Sequence, residues 1–184
     1  MIISKRMLLI GDSLLRHVRL SQPNSHTESI GGCTIDRLIV LLKQNYFRQL
    51  FYNQKHLVIL IGTNNLAREK SDVTIGKTRQ LIDLIYRKYS FIQTLAICTV
   101  PSRTKTSIFY RTYGDNGGKS IRKRIERYNR KLKSLRKKQH STQRFSVIRL
   151  NFDLSLHVSN DGLHPTAAGI EHISNVLQEY ANTL

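Results

Sequence analysis

Apolar residues in this chain fall in short unbroken runs, separated by longer stretches in which they recur every three or four positions. That alternation predicts strands and helices in turn. Met7 to Ile10 (MLLI) reads as a buried strand, with Ser13 to Arg19 as a short helix after it. Thr27 to Ile30 reads as a second strand. Thr34 to Phe47 carries Ile35, Leu38, Ile39 and Leu42 on one face and predicts a helix. Leu57 to Ile61 (LVILI) is apolar on both faces, as a central parallel strand is.

Farther along, Val73 to Tyr89 aligns Leu81, Ile82, Ile85 and Tyr89 on a helical face. Thr94 to Val100 predicts a strand stopped by Pro101. Ser102 to Ser120 has little periodicity and three glycines, which predicts a long loop. Ile121 to Lys138 spaces Ile121, Ile125, Tyr128, Leu132 and Leu135 by alternating steps of four and three, an amphipathic helix. Phe145 to Leu150 is a fifth strand, and Thr166 to Tyr180 a last helix with Ile170, Ile173 and Leu177 inward. Strands alternating with helices predict an α/β domain built on a parallel sheet. No repeat or linker divides the pattern, so residues 1–184 are expected to form one domain.

With 184 residues, 40% of them hydrophobic and 23% charged, the chain has enough apolar material for a core. No run approaches the ~20 apolar residues of a membrane-spanning helix. Met1 to Ile10 is followed by Gly11-Asp12-Ser13 and not by a small-residue cleavage site, so no secretory signal is read there. Cys33 and Cys98 are too few for a disulfide framework and lack metal-ligand spacing. Two free thiols suit a reducing compartment, which places the expected location inside the cell, in cytoplasm or nucleus. No metal or other cofactor is expected.

The net charge, +18, is the unusual quantity. Residues 103–149 hold sixteen Lys and Arg against two acids, Asp115 and Glu126, and so carry +14 of it. Like charges at helical spacing repel one another, which points to a polyanion that neutralises them. Arg122, Lys123, Arg124, Arg127, Arg130 and Lys131 are the expected contacts to RNA or another polyanion. Phe109, Tyr110 and Tyr113 in the adjoining loop are candidates to stack on unpaired bases. An acidic membrane surface is the other anionic partner considered.

In an open parallel sheet, ligands bind outside the carboxyl ends of the strands. Here those ends carry Gly11-Asp12-Ser13, Gly31-Gly32-Cys33-Thr34, Gly62-Thr63-Asn64-Asn65 and Asp161-Gly162-Leu163-His164. Acyl transfer needs a nucleophile, a base, a group that orients the base, and donors for the oxyanion. Ser13 is the candidate nucleophile, His164 the base and Asp161 the orienting carboxylate. The backbone N–H groups of Ser13 and Gly32 and the side-chain amide of Asn64 are the candidate oxyanion donors. Gly31 is an alternative to Gly32, and Asn65 could share the work of Asn64. Arg16 and His17 lie one turn past the nucleophile with no assigned task.

These four segments, in order, resemble the blocks of the SGNH, or GDSL-type, hydrolase superfamily. The resemblance implies a three-layer flavodoxin-like sandwich with a five-stranded parallel sheet flanked by helices. It also implies a cofactor-independent serine esterase acting on small acyl esters, with Ser13, Gly32, Asn64 and His164 in the name-giving roles and Asp161 completing the triad. A hydrolase of this kind with a cationic surface is similar to the esterase domain of some LINE-type retrotransposon first open reading frame proteins. At fold level it also resembles the hydrolase-like RNA-binding domain of Oskar.

Overall fold

The computed structural model describes residues 6–21, 24–103, 119–135 and 144–184. Five strands form one parallel sheet: β1 (Met7–Gly11), β2 (Ser25–Ser29), β3 (His56–Leu60), β4 (Thr94–Cys98) and β5 (Arg144–Ile148), in the order β2-β1-β3-β4-β5. The helices are α1 (Ile35–Lys43), α2 (Arg48–Phe51), α3 (Thr63–Arg68), α4 (Ser71–Lys88), α5 (Lys119–Leu135), α6 (Leu154–His157) and α7 (Ala167–Asn182). The order reverses direction between β1 and β3, so the crevice at their carboxyl ends is the place where such sheets bind ligands.

β1, β3 and β4 are buried throughout, and their alternate side chains feed two cores. Leu8, Ile10, Leu57, Ile59, Leu95 and Ile97 point to the layer of α1, α4 and α5, where Leu38, Leu81, Ile125 and Tyr128 pack. Met7, Leu9, Val58, Leu60, Ala96 and Cys98 point to the other layer, where Ile173 and Leu177 of α7 lie. Both faces being covered is why these runs are uniformly apolar. Gly11 sits where β1 passes closest to β3: a Cβ there would lie 2.2 Å from the Leu60 carbonyl oxygen. Glycine is required there by this close approach.

Several boundaries differ from the sequence expectation. The helix expected over Ser13 to Arg19 is a single 3-10 turn, Ser13–Leu15. β2 starts two residues earlier and ends one earlier, because its ends are set by pairing with β1 and not by its own polar SHTES sequence. The helix expected over Thr34 to Phe47 ends at Lys43, where Asn45 adopts a left-handed φ of 60°, and α2 follows. Glycine-bounded Thr63 to Arg68 is a helix, with buried Thr63, Asn64 and Asn65 in its first turn. The loop expected over Ser102 to Ser120 lies mostly outside the described residues, although Lys119 and Ser120 already belong to α5. Phe109, Tyr110 and Tyr113 are outside them entirely.

α5 crosses α4 and is fastened there by Tyr128, whose hydroxyl is 3.0 Å from Thr78 Oγ1. Its basic face is less unpaired than its sequence suggests. Arg127 and Lys131 both reach Asp72 of α4, Arg122 pairs with Glu126, and Arg124 donates to the Glu69 carbonyl. Asp72 of α4 thus adds to Glu126 in offsetting the repulsion. Arg103, counted with the basic region, is 2% exposed and belongs to the interior. No helix among the described residues is long and apolar enough to cross a membrane.

Candidate active site

The turn after β1 starts with Asp12, which is fully buried. Its N–H donates to the Leu60 carbonyl at 3.1 Å, and its Oδ1 accepts from the Leu14 N–H at 3.1 Å, capping the 3-10 turn. Ser29 of β2 donates to the Asp12 carbonyl at 2.9 Å. Ser13 is thus projected from a segment tied to both neighbouring strands.

The segment from Val158 to Pro165 is a loop closed on itself. Val158 and Pro165 form an antiparallel bridge, Ser159 N–H donates to the His164 carbonyl at 2.8 Å, and Gly162 takes a φ of 74° that glycine supplies without strain. Inside it, Asp161 Oδ1 accepts from Ser159 Oγ at 2.8 Å, Leu163 N–H at 2.8 Å and His164 N–H at 2.9 Å. Its Oδ2 lies 2.5 Å from His164 Nδ1. A carboxylate only accepts, so Nδ1 carries the hydrogen and Nε2 presents its lone pair. That nitrogen is 3.1 Å from Ser13 Oγ. Burial alone would raise the Asp161 carboxyl, but the bonds from His164, Leu163 and Ser159 outweigh it and hold the group well below the usual carboxylate range.

The remaining candidates come from the neighbouring strand ends. Gly32 has a φ of 66° in the exposed turn between β2 and α1, and Thr34 two residues on caps α1 by accepting from Arg37 N–H. Asn64, in the first turn of α3, donates its amide to the Cys33 carbonyl at 3.0 Å and so ties the β3 end to the Gly32 turn. Asn65 has other partners. Its Oδ1 accepts from Ile35 N–H at 2.8 Å, and its amide donates to Asp36 and Glu69, an arrangement that fixes the start of α1. Cys33 and Cys98 are free thiols, both buried; burial pushes Cys33 up to about 11. Among the described residues no group of three or more His, Cys, Asp or Glu is placed to hold a metal ion.

Two features escaped the sequence reading. Arg103 donates from Nε to Thr63 Oγ1 at 3.1 Å and from Nη2 to the Thr63 carbonyl at 2.8 Å, gripping the first residue of α3. Burial pushes the Asp12 carboxyl up to about 7, while the Leu14 N–H bond and the Arg103 charge pull it down. The position after β4 was the signal that could have found Arg103, since the other strand ends were read for chemistry. The second feature is a small cavity of about 160 Å³ lined by Ser13, Leu14, His164, Pro165 and Ile170, with Arg16 and His17 on its wall. The Arg16 guanidinium also reaches Gly31, where a Cβ would lie 3.7 Å from it.

A parallel sheet in this order, with helices on both faces and chemistry at its carboxyl edge, defines a three-layer flavodoxin-like α/β protein. More narrowly, the chain has the SGNH hydrolase fold. It is similar in structure to a member of the lipolytic G-D-S-L family from Veillonella parvula, with a TM-score of 0.69 and 15% identity over 98% of this chain and 100% of that one. A GDSL-like lipase from Bacteroides thetaiotaomicron superposes with a TM-score of 0.65 at 17% identity, covering 98% of this chain and 89% of that one. A family 3 carbohydrate esterase from Clostridium thermocellum gives 0.67 at 18% identity, over 97% and 96%. No protein-family model matches the sequence, and neither does any curated protein. At these identities the likeness establishes the fold alone.

Proposed function

We propose that this protein is a serine esterase that hydrolyses short acyl esters through an acyl-Ser13 intermediate. The observation that carries the reading is the continuous relay from Asp161 Oδ2 through the His164 ring to Ser13 Oγ, at 2.5 and 3.1 Å. His164 Nε2 takes the Ser13 proton as Oγ bonds to the acyl carbon, and Asp161 stabilises the imidazolium that forms. The negative charge on the former carbonyl oxygen is met by the N–H groups of Ser13 and Gly32 and by Asn64. An amide has two hydrogens, so the Asn64 bond to Cys33 leaves one for this task. Collapse expels the alcohol, which leaves with the proton from His164. Water, deprotonated by His164, then attacks the acyl carbon and releases the carboxylic acid and free Ser13. The test is hydrolysis of p-nitrophenyl acetate by wild type and Ser13→Ala. The reading expects a loss of activity in the variant, and equal rates would remove Ser13 from the mechanism.

A second task, docking of a polyanion on α5, is favoured by one surface feature. Lys123, Arg127, Arg130 and Lys131 line an open cavity of about 510 Å³ with Glu126, and among the described residues Lys123 and Arg130 have no carboxylate partner. With Arg122 and Arg124 these are the residues the sequence offers as contacts to RNA. Affinity for RNA should fall steeply with salt and weaken in Lys123→Gln/Arg130→Gln. Binding that is flat across salt would exclude this role, and binding to acidic vesicles that RNA does not compete away would assign the face to a membrane.

A further inference from the structure

A second cavity opens at the other edge of the sheet. The strands are parallel, so the carboxyl ends that carry Ser13 and Asn64 lie opposite the amino ends of β3 and β4 at His56 and Thr94. The segments leading into those two strands line a cavity of about 400 Å³. Pockets that hold small organic ligands occupy roughly 300–1,000 Å³.

Its floor is aromatic. Phe51 and Tyr89 stack with centroids 4.1 Å apart and planes 12° from parallel, and Phe91 meets Tyr89 edge-on at 6.0 Å. The Tyr89 hydroxyl donates to the Leu42 carbonyl at 3.2 Å, which fixes that ring. Two rings of the same cavity are left uncovered: Tyr52 is 77% exposed and Phe91 43%.

Its rim is cationic. Arg48, Lys55 and Lys88 line the cavity and no carboxylate does. Among the described residues none of the three is in an ion pair. Lys88 donates to the Lys43 carbonyl at 2.9 Å and lies 5.9 Å from the Tyr89 ring centre.

Each feature narrows the ligand. Uncovered flat rings suit a planar ring that stacks on them. Cations without acids select an anion, and Arg in particular suits phosphate. A nucleotide joins a flat base to a phosphate and so meets both features. A purely apolar ligand would leave three charges unmet, and a simple inorganic anion would leave the rings uncovered. We infer that this cavity binds an unpaired nucleoside phosphate, its base stacked on Phe91 and Tyr52 and its phosphate held by Arg48 and Lys55. The site uses no residue of the catalytic relay or of α5, so it stands or falls independently of both.

The experiment measures fluorescence anisotropy of a labelled single-stranded RNA and of an abasic strand of the same length, on the full chain. Tyr52→Ala, alone and with Phe91→Ala, should weaken binding of the base-bearing strand about 5- to 100-fold and leave the abasic strand unaffected. Arg48→Gln/Lys55→Gln should weaken both strands and reduce the salt dependence. Unchanged far-ultraviolet circular dichroism and p-nitrophenyl acetate hydrolysis would show that the variants fold. Displacement of the strand by adenosine monophosphate would identify a free nucleotide as sufficient, and failure to displace would identify a nucleotide within a strand. Two results overturn the inference. One is equal affinity of wild type and both ring variants for the base-bearing strand. The other is a dimer, seen by light scattering, that the ring substitutions dissociate without altering RNA binding, which would give the cavity to a second copy of the chain.

Discussion

Asp12 offers a quantitative test of how the Ser13 turn is held. Its carboxyl is fully buried, Oδ2 has no hydrogen-bond partner, and the group titrates near 7 in the fold against an ordinary value of 3.8. Between those two values the folded chain keeps a proton that the unfolded chain has lost. Stability therefore falls as pH rises through that window, and is flat below and above it. At 1.36 kcal/mol per unit, the ionisable Asp12 costs about 4 kcal/mol at pH 8.5 and less than half of that at pH 5, a difference of about 3 kcal/mol. Asp12→Asn cannot titrate, keeps the shape of the side chain and keeps an acceptor for the Leu14 N–H. Urea unfolding of both proteins at the two pH values isolates the effect, because all other titrations cancel in the difference. The asparagine variant should gain on wild type by about 3 kcal/mol between pH 5 and pH 8.5. A gap that stays constant across this range would refute the reasoning, and would mean that Arg103 keeps Asp12 ionised throughout.

Further outcomes are expected. Asp161→Asn should lower kcat for p-nitrophenyl acetate by about 10³- to 10⁴-fold, because the imidazole loses the partner that fixes its tautomer. The stability that the ionised Asp161 contributes is present above the ordinary carboxylate range and is lost as acid protonates it, so the variant should be less sensitive to acid than wild type in a urea titration. Gly169→Ala would place a Cβ 2.2 Å from the His157 carbonyl oxygen and 2.9 Å from Pro165, beside His164, and should cost about 1–3 kcal/mol by urea unfolding, whereas Gly76→Ala in α4 meets nothing within 4 Å and should gain about 0.4–1 kcal/mol. The cavity beside Ser13, at about 160 Å³, is close to the ~150 Å³ that holds a benzene ring, so rates should fall from acetate to decanoate esters. Faster turnover of decanoate would contradict that limit.

The parts of the fold legible in the sequence are those whose physics is local or fully buried. β1, β3 and β4 stand out because both faces are covered, and α5 and α7 because one face repeats at the helical period. β2 was misplaced because SHTES carries no apolar signal and is a strand only through its pairing with β1. α3 was missed because its first turn buries Thr63, Asn64 and Asn65, polar residues whose partners lie on other elements. α6 is a single turn with no buried residue.

The candidate site divides in the same way. The order of Ser13, Gly32, Asn64, Asp161 and His164 along the chain suggested a common edge, and the fold places Ser13, His164 and Asp161 in hydrogen-bond sequence. Arg103 was counted with the basic region although it follows β4, and its burial against Thr63 and near Asp12 depends on how the strand ends pack together. Likewise the pairing of Arg127 and Lys131 with Asp72 depends on how α5 crosses α4, a fact of packing between segments over fifty residues apart.

The central claim is that Ser13 is a nucleophile made reactive by His164, and covalent labelling tests it most directly. Treatment with a fluorophosphonate, followed by peptide mass spectrometry, should locate one phosphonyl adduct on the Ser13 peptide. The adduct should be absent from Ser13→Ala and form far more slowly in His164→Ala. An adduct on another residue, or labelling of Ser13 at the same rate without His164, would contradict the account.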